Sequence, residues 1–179
     1  MRHPGHHPHF GTLVDQSISK LAPFSALILT ITIVIVFAIR LYFFEGYLLP
    51  RLYGKKYASL SDENRRSFVN HHVAGSIKLL LVVVGAYPTM ALAFGSANPH
   101  TPFAGSRHVT IGDVLIVCSQ IFTVMYIFEL FYRQKISPIS AAHHIGAIVI
   151  TQSAVAISLD FSHEVDAVYE FVLCLLWGS

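Results

Sequence analysis

Four long apolar runs separated by polar connections organise the chain: residues 23–49, 73–94, 114–132 and 139–159. Each is long enough to cross a hydrocarbon layer as a helix, because roughly 20 residues rising 1.5 Å apiece cover about 30 Å. The first run is rich in β-branched Ile and Val, yet its length favours a helix over a strand. The pattern predicts an all-α membrane protein, a polytopic helix bundle with four full spans. A fifth run, 165–177, is too short to span. It predicts either a re-entrant or interfacial helix, or a truncated fifth span in a chain that is itself cut short.

The connections are as informative as the runs. ArgGlnLysIleSerPro, between the third and fourth, permits only an antiparallel hairpin. Residues 97–112 include SerAlaAsnProHisThrProPheAlaGly, a turn-rich loop. Between the first two runs, SerLeuSerAspGluAsnArgArg predicts a helix start: Ser61 caps it, and Asp62 and Glu63 suit the positive end of the helix dipole. The expectation is an interfacial helix leading into a second span that Pro88 kinks or ends. Residues 1–22 read as a disordered lumenal tail, with a weak histidine-rich metal site as the competing reading. The run that follows is too long for the core of a signal peptide.

Composition agrees with the pattern. The chain is 54% hydrophobic and 12% charged, too apolar for a domain with a hydrated surface. The net charge of +2 comes from basic loops and not from a nucleic-acid motif, so it bears on orientation. Arg51, Lys55, Lys56, Arg65, Arg66, Arg133 and Lys135 lie on one side, against Arg2, Lys20 and Arg107 on the other. This bias predicts a lumenal amino terminus and a cytosolic turn at Arg133. Arg40 is expected to snorkel to the interface. Cys118 and Cys174, both in apolar runs, are expected to pack as small hydrophobes.

The chemistry gathers at the predicted hairpin. Glu129 lies one turn before it and the pair His143 and His144 about one turn after it, so the carboxylate and imidazoles share a depth on neighbouring helices. Ionisable groups at such depth mark function. If the turn is cytosolic, His71, His72 and Lys78 near the start of the second span approach the same face, flanked by Tyr126 and Arg133. A general base for acyl transfer, a metal site, or a headgroup lining would each suit this set. Metal is set aside: these histidines form no HxxxH or HxxHH box, and adjacent ring positions diverge by about 100° on a helix.

SerPheValAsnHisHis before one span, TyrIlePheGluLeuPhe in the next and AlaAlaHisHisIleGly in the one after it resemble the TLC domain. That domain is shared by ceramide synthases, translocating-chain-associated membrane proteins and related lipid proteins. The resemblance covers residues 65–179, incomplete at the carboxyl end. It implies an endoplasmic-reticulum bundle enclosing a lipid-sized cavity with the paired histidines inside. In ceramide synthases that pair joins a fatty acyl-CoA to a sphingoid-base amine. This chain departs from them: Glu129 stands where aspartate is common, and IleGlyAlaIleValIleThr follows the histidines in place of the polar residues of the synthases.

The implied activity is acyl transfer in lipid metabolism. His143 or His144 would be the general base, Glu129 would orient it, and Lys78 or Arg133 would attract the phosphates of an acyl-CoA co-substrate, with no other cofactor. The alternative is a non-catalytic lipid sensor, transporter or membrane-protein chaperone with the same residues lining a headgroup site. Membrane lipids or acyl chains are the expected partners and nucleic acid is not. Oligomerisation is left open.

Overall fold

The computed structural model describes residues 18–159; most of the amino-terminal tail, Cys174 and the run 165–177 lie outside them. Among the described residues four helices are long and apolar enough to cross a membrane: α1 (Ala22–Tyr53), α2 (Asp62–Ala93), α3 (Ile111–Tyr132) and α4 (Pro138–Ile157). No strand forms among these residues, only an isolated bridge between Pro102 and Thr110.

The helix ends follow from local chemistry. Ser61 Oγ accepts from the Asn64 amide at the start of α2, as its position predicts. Thr110 and Asp113 form a reciprocal capping box, so α3 begins at Ile111, inside what reads as loop. Ser137 caps α4, with Pro138 at its first turn. After Tyr132 the backbone turns extended at Arg133, which breaks the helix and makes the hairpin.

Two elements differ from expectation. A separate interfacial helix does not precede the second span: α2 runs 32 residues without a break. SerPheValAsnHisHis holds neither glycine nor proline, so nothing stops the capped turn from continuing into the apolar run. Pro88 lies within α2 and does not end it; the helix reaches Ala93. The second difference is in α1, which continues to Tyr53 and changes character on the way. Ile39–Leu48 winds with the wide i→i+5 pattern, and Gly54 then takes φ +51°, a conformation glycine enters without steric cost.

The core sits on α3, which packs against each of the other three helices. In its most apolar stretch 61% of residues are buried, against 11% in α1, 33% in α2 and 22% in α4. Val69, Val73, Ile77 and Leu81 recur every fourth residue on α2 and share one core with Phe122, Met125 and Phe128 of α3. Cys118 joins them, 1% exposed, packing as a small apolar side chain. Across the α3–α4 contact Gln152 Nε2 donates to Gln120 Oε1 at 3.2 Å and to Thr123 Oγ1 at 2.8 Å. The outward faces carry Leu27, Val34, Leu79, Val83, Val149 and Ile150, an apolar exterior that no other described residue covers.

Candidate functional site

The hairpin brings Glu129 of α3 to His144 of α4. Glu129 Oε2 is 2.9 Å from His144 Nε2, with the two side chains only 14% and 9% exposed. The other carboxylate oxygen, Oε1, accepts from Asn70 Nδ2 of α2 at 3.1 Å. One side chain thus ties three helices together. Ser140 Oγ lies 3.4 Å from the same imidazole nitrogen, and the Tyr126 ring packs against His144 with centroids 4.7 Å apart.

A carboxylate only accepts, so Nε2 of His144 carries the hydrogen of this pair. Nδ1 is then the lone-pair nitrogen of the neutral ring. It is buried and, among the described residues, has no hydrogen-bond partner; the same holds for Asn70 Oδ1. Polar atoms in that state are costly, and they cluster where a protein holds or moves protons.

On its open side Glu129 borders a polar cleft of about 250 Å³ whose walls include Asn70, His71, Lys78 and Arg133. Ala74 and Gly75 leave the room for it. His144 does not line this cleft. Glu129 therefore stands between the cleft and the imidazole. A group entering the cleft would meet the carboxylate first, with two cations and His71 beside it.

The sequence-predicted residues separate accordingly. His144, Glu129 and Tyr126 come together, and His71, Lys78 and Arg133 share the adjoining cleft. His143, one position earlier on α4, is exposed and meets the site by ring contacts alone, with the edge of Tyr126 at 5.9 Å and with His144 at 5.7 Å. His72 faces away from the cleft: Nδ1 is 2.9 Å from the Phe68 carbonyl and Nε2 is 3.0 Å from the Tyr53 hydroxyl of α1. Among the described residues no three His, Cys, Asp or Glu side chains converge as metal ligands.

Sequence reasoning gave Asn70 no role of its own. Its signal was present: Asn70 lies one residue beyond Val69 in the stripe that α2 buries, and an amide there needs a partner on α3. Arg40 is ion-paired with Glu45 at 2.8 Å, both side chains 21% exposed, because the wide turn stacks residues five apart.

Comparison of the chain with protein-family models, with curated proteins and with solved structures returns no match.

Proposed function

We propose that this chain is a multi-pass membrane protein of TLC type in the endoplasmic reticulum, acting in lipid metabolism by acyl transfer. The observation that supports it is the Asn70–Glu129–His144 chain beside a cleft carrying Lys78 and Arg133. An attacking hydroxyl or amine in the cleft gives its proton to Glu129, the group it can touch, as it bonds to the thioester carbonyl carbon; the C–S bond breaks and the proton passes to the departing CoA thiolate. His144 acts behind it as a positioning residue, its Nε2–H donating to the carboxylate and fixing it. Lys78 and Arg133 suit the phosphates of an acyl-CoA at the cytosolic face.

The test is lipid analysis of a strain deleted for the gene, re-expressing native protein, Glu129→Gln or His144→Ala. Native protein should restore the altered lipid class and both variants should fail at equal protein level. Restoration by Glu129→Gln would remove the catalytic reading.

One observation favours a second reading, a non-catalytic lipid carrier. A cavity of about 590 Å³ between α2 and α3, walled by Leu80, Leu81, Val84, Val114, Val117 and Ile121, is almost wholly apolar and lies toward Asp113, away from Glu129. It is within the size range of lipid-sized ligand pockets. Retention of a photoreactive fatty acid at this cavity, unchanged in Glu129→Gln and with no turnover by native protein, would favour the carrier.

A further inference from the structure

The wide-turn segment of α1 and the basic start of α2 meet in a cluster that the Glu129–His144 site does not use. Arg40 is paired with Glu45, and Tyr132 of α3 donates its hydroxyl to the same carboxylate. The Arg40 guanidinium lies over the Tyr132 ring, 4.5 Å from its centroid, and Arg66 approaches that ring at 5.9 Å. Arg65 stands 5.9 Å over Tyr57, which is 8% exposed. Burial pushes the Tyr57 phenol up, Glu45 adds to this, and Arg65 and Arg40 oppose it, so all four groups share one electrostatic environment.

Charge in this cluster is unbalanced. Of the three guanidinium groups only that of Arg40 is paired with Glu45, and the acid paired with Arg65 is Asp62, 86% exposed at 3.8 Å. Arg51, Lys55 and Lys56 stand exposed around them. Hydrogen bonding is unbalanced as well: among the described residues, Nε of Arg40 and Nε of Arg65 are buried without a partner. A buried guanidinium N–H lacking an acceptor is costly, and the Nε edge is one that grips phosphate oxygens in pairs.

We infer that Arg40, Arg65 and Arg66 form an interfacial site for the phosphomonoester headgroup of an anionic membrane lipid. The inference rests on the reading that α1 and α2 cross a bilayer with their connection cytosolic. A basic loop attracts any anionic lipid through its charge alone. Guanidinium groups held over tyrosine faces, with donors waiting for an acceptor, add geometry to charge. They should prefer a terminal phosphate, which offers three oxygens, over a phosphodiester.

The full chain is reconstituted in phosphatidylcholine nanodiscs containing either phosphatidic acid or phosphatidylserine, and retained lipid is counted by native mass spectrometry. Native protein should retain phosphatidic acid in preference. Arg65→Lys keeps the charge, loses the fork and lies outside α1. It should weaken phosphatidic acid by about tenfold, the worth of one charge-assisted hydrogen bond, and leave phosphatidylserine unchanged. Lys55→Ala should weaken both lipids alike. Equal retention of the two lipids by native protein reduces the site to charge attraction and overturns the inference. Displacement of phosphatidic acid by inorganic phosphate makes it a free-anion site and overturns it too. A chain that alkaline carbonate strips from membranes overturns the membrane reading and the site with it. A carbonate-resistant chain without lipid preference overturns the site alone.

Discussion

Two acids stand near opposite ends of α3 and have opposite fates. Asp113 is 2% exposed. It accepts from Ser19 Oγ at 2.8 Å and from the Thr110 amide at 3.0 Å, with Lys20 at 3.6 Å. Glu129 accepts from one side-chain amide and one imidazole, and borders a cleft. Asp113 binds a main-chain amide and a hydroxyl that do not titrate, with Lys20 beyond hydrogen-bond range and an apolar cavity beside it, so it works as a cap and clamp. Glu129 has a partner that can exchange a proton, and space beside it for a third participant. Burial alone does not separate a structural acid from one proposed to react; the chemistry of the partners is what distinguishes these two.

The largest effect is expected where the Asp113 end is closed most tightly. A Cβ at Gly112 would lie 1.9 Å from the Ile18 carbonyl oxygen and 3.2 Å from that of Pro99, both backbone atoms. Gly112→Ala must push away the segment that Ser19 and Lys20 hold on Asp113, at a cost of about 3 kcal/mol. Thermal unfolding in detergent measures it. A variant as stable as the native chain would show that this end yields, and the comparison would lose its rigid half.

Next comes the acid itself. Asp113→Ala removes the capping box and leaves the Ser19 hydroxyl without its acceptor, for about 2 kcal/mol. Activity per folded molecule should be unchanged. Glu129→Gln should do the reverse: Asn70 keeps an acceptor, so stability moves by less than about 1 kcal/mol, while turnover falls about a hundredfold. If the two substitutions had the same balance of stability loss and activity loss, the distinction between the acids would fail.

Coupling sharpens the same point. In a double-mutant cycle of Glu129→Gln and His144→Ala the turnover losses should fall short of additive by about 1 kcal/mol or more, because either change breaks the same 2.9 Å contact. Additive losses at unchanged stability would mean that the two side chains act independently.

What the sequence discloses of this site follows from geometry that short connections enforce. Glu129 and His144 could be paired on paper because a six-residue turn leaves one antiparallel arrangement, and counting turns from it fixes depth. Asn70 was harder to assign, since α2 reaches the site across a long connection and its register against α3 depends on packing. The Arg40–Glu45 pair was hidden for another reason. On a regular helix residues five apart point about 140° away from each other, and only the wide turn of Ile39–Leu48 brings them together. The continuous α2 could have been anticipated, because the stretch after its cap has no helix breaker.

The smallest effect should come from His143, and it separates a paired motif from a paired function. Adjacent residues on a helix diverge by about 100°, so when α4 turns His144 into the bundle it must turn His143 out. The structure places His143 on an exposed face, reaching the site by ring contacts with Tyr126 and His144 and by no hydrogen bond to Glu129. Removing that ring takes away no hydrogen bond to Glu129 and opens no space beside His144. His143→Ala should therefore leave stability within about 0.5 kcal/mol of native and turnover within about threefold, whereas His144→Ala should lose about a hundredfold. Steady-state rates of the two variants, at matched folded protein, decide between them. Equal losses would require both rings to face the reacting groups, which a regular helix through Ala141–Gly146 cannot supply, and the assignment of Glu129 as the cleft-side base would go with it.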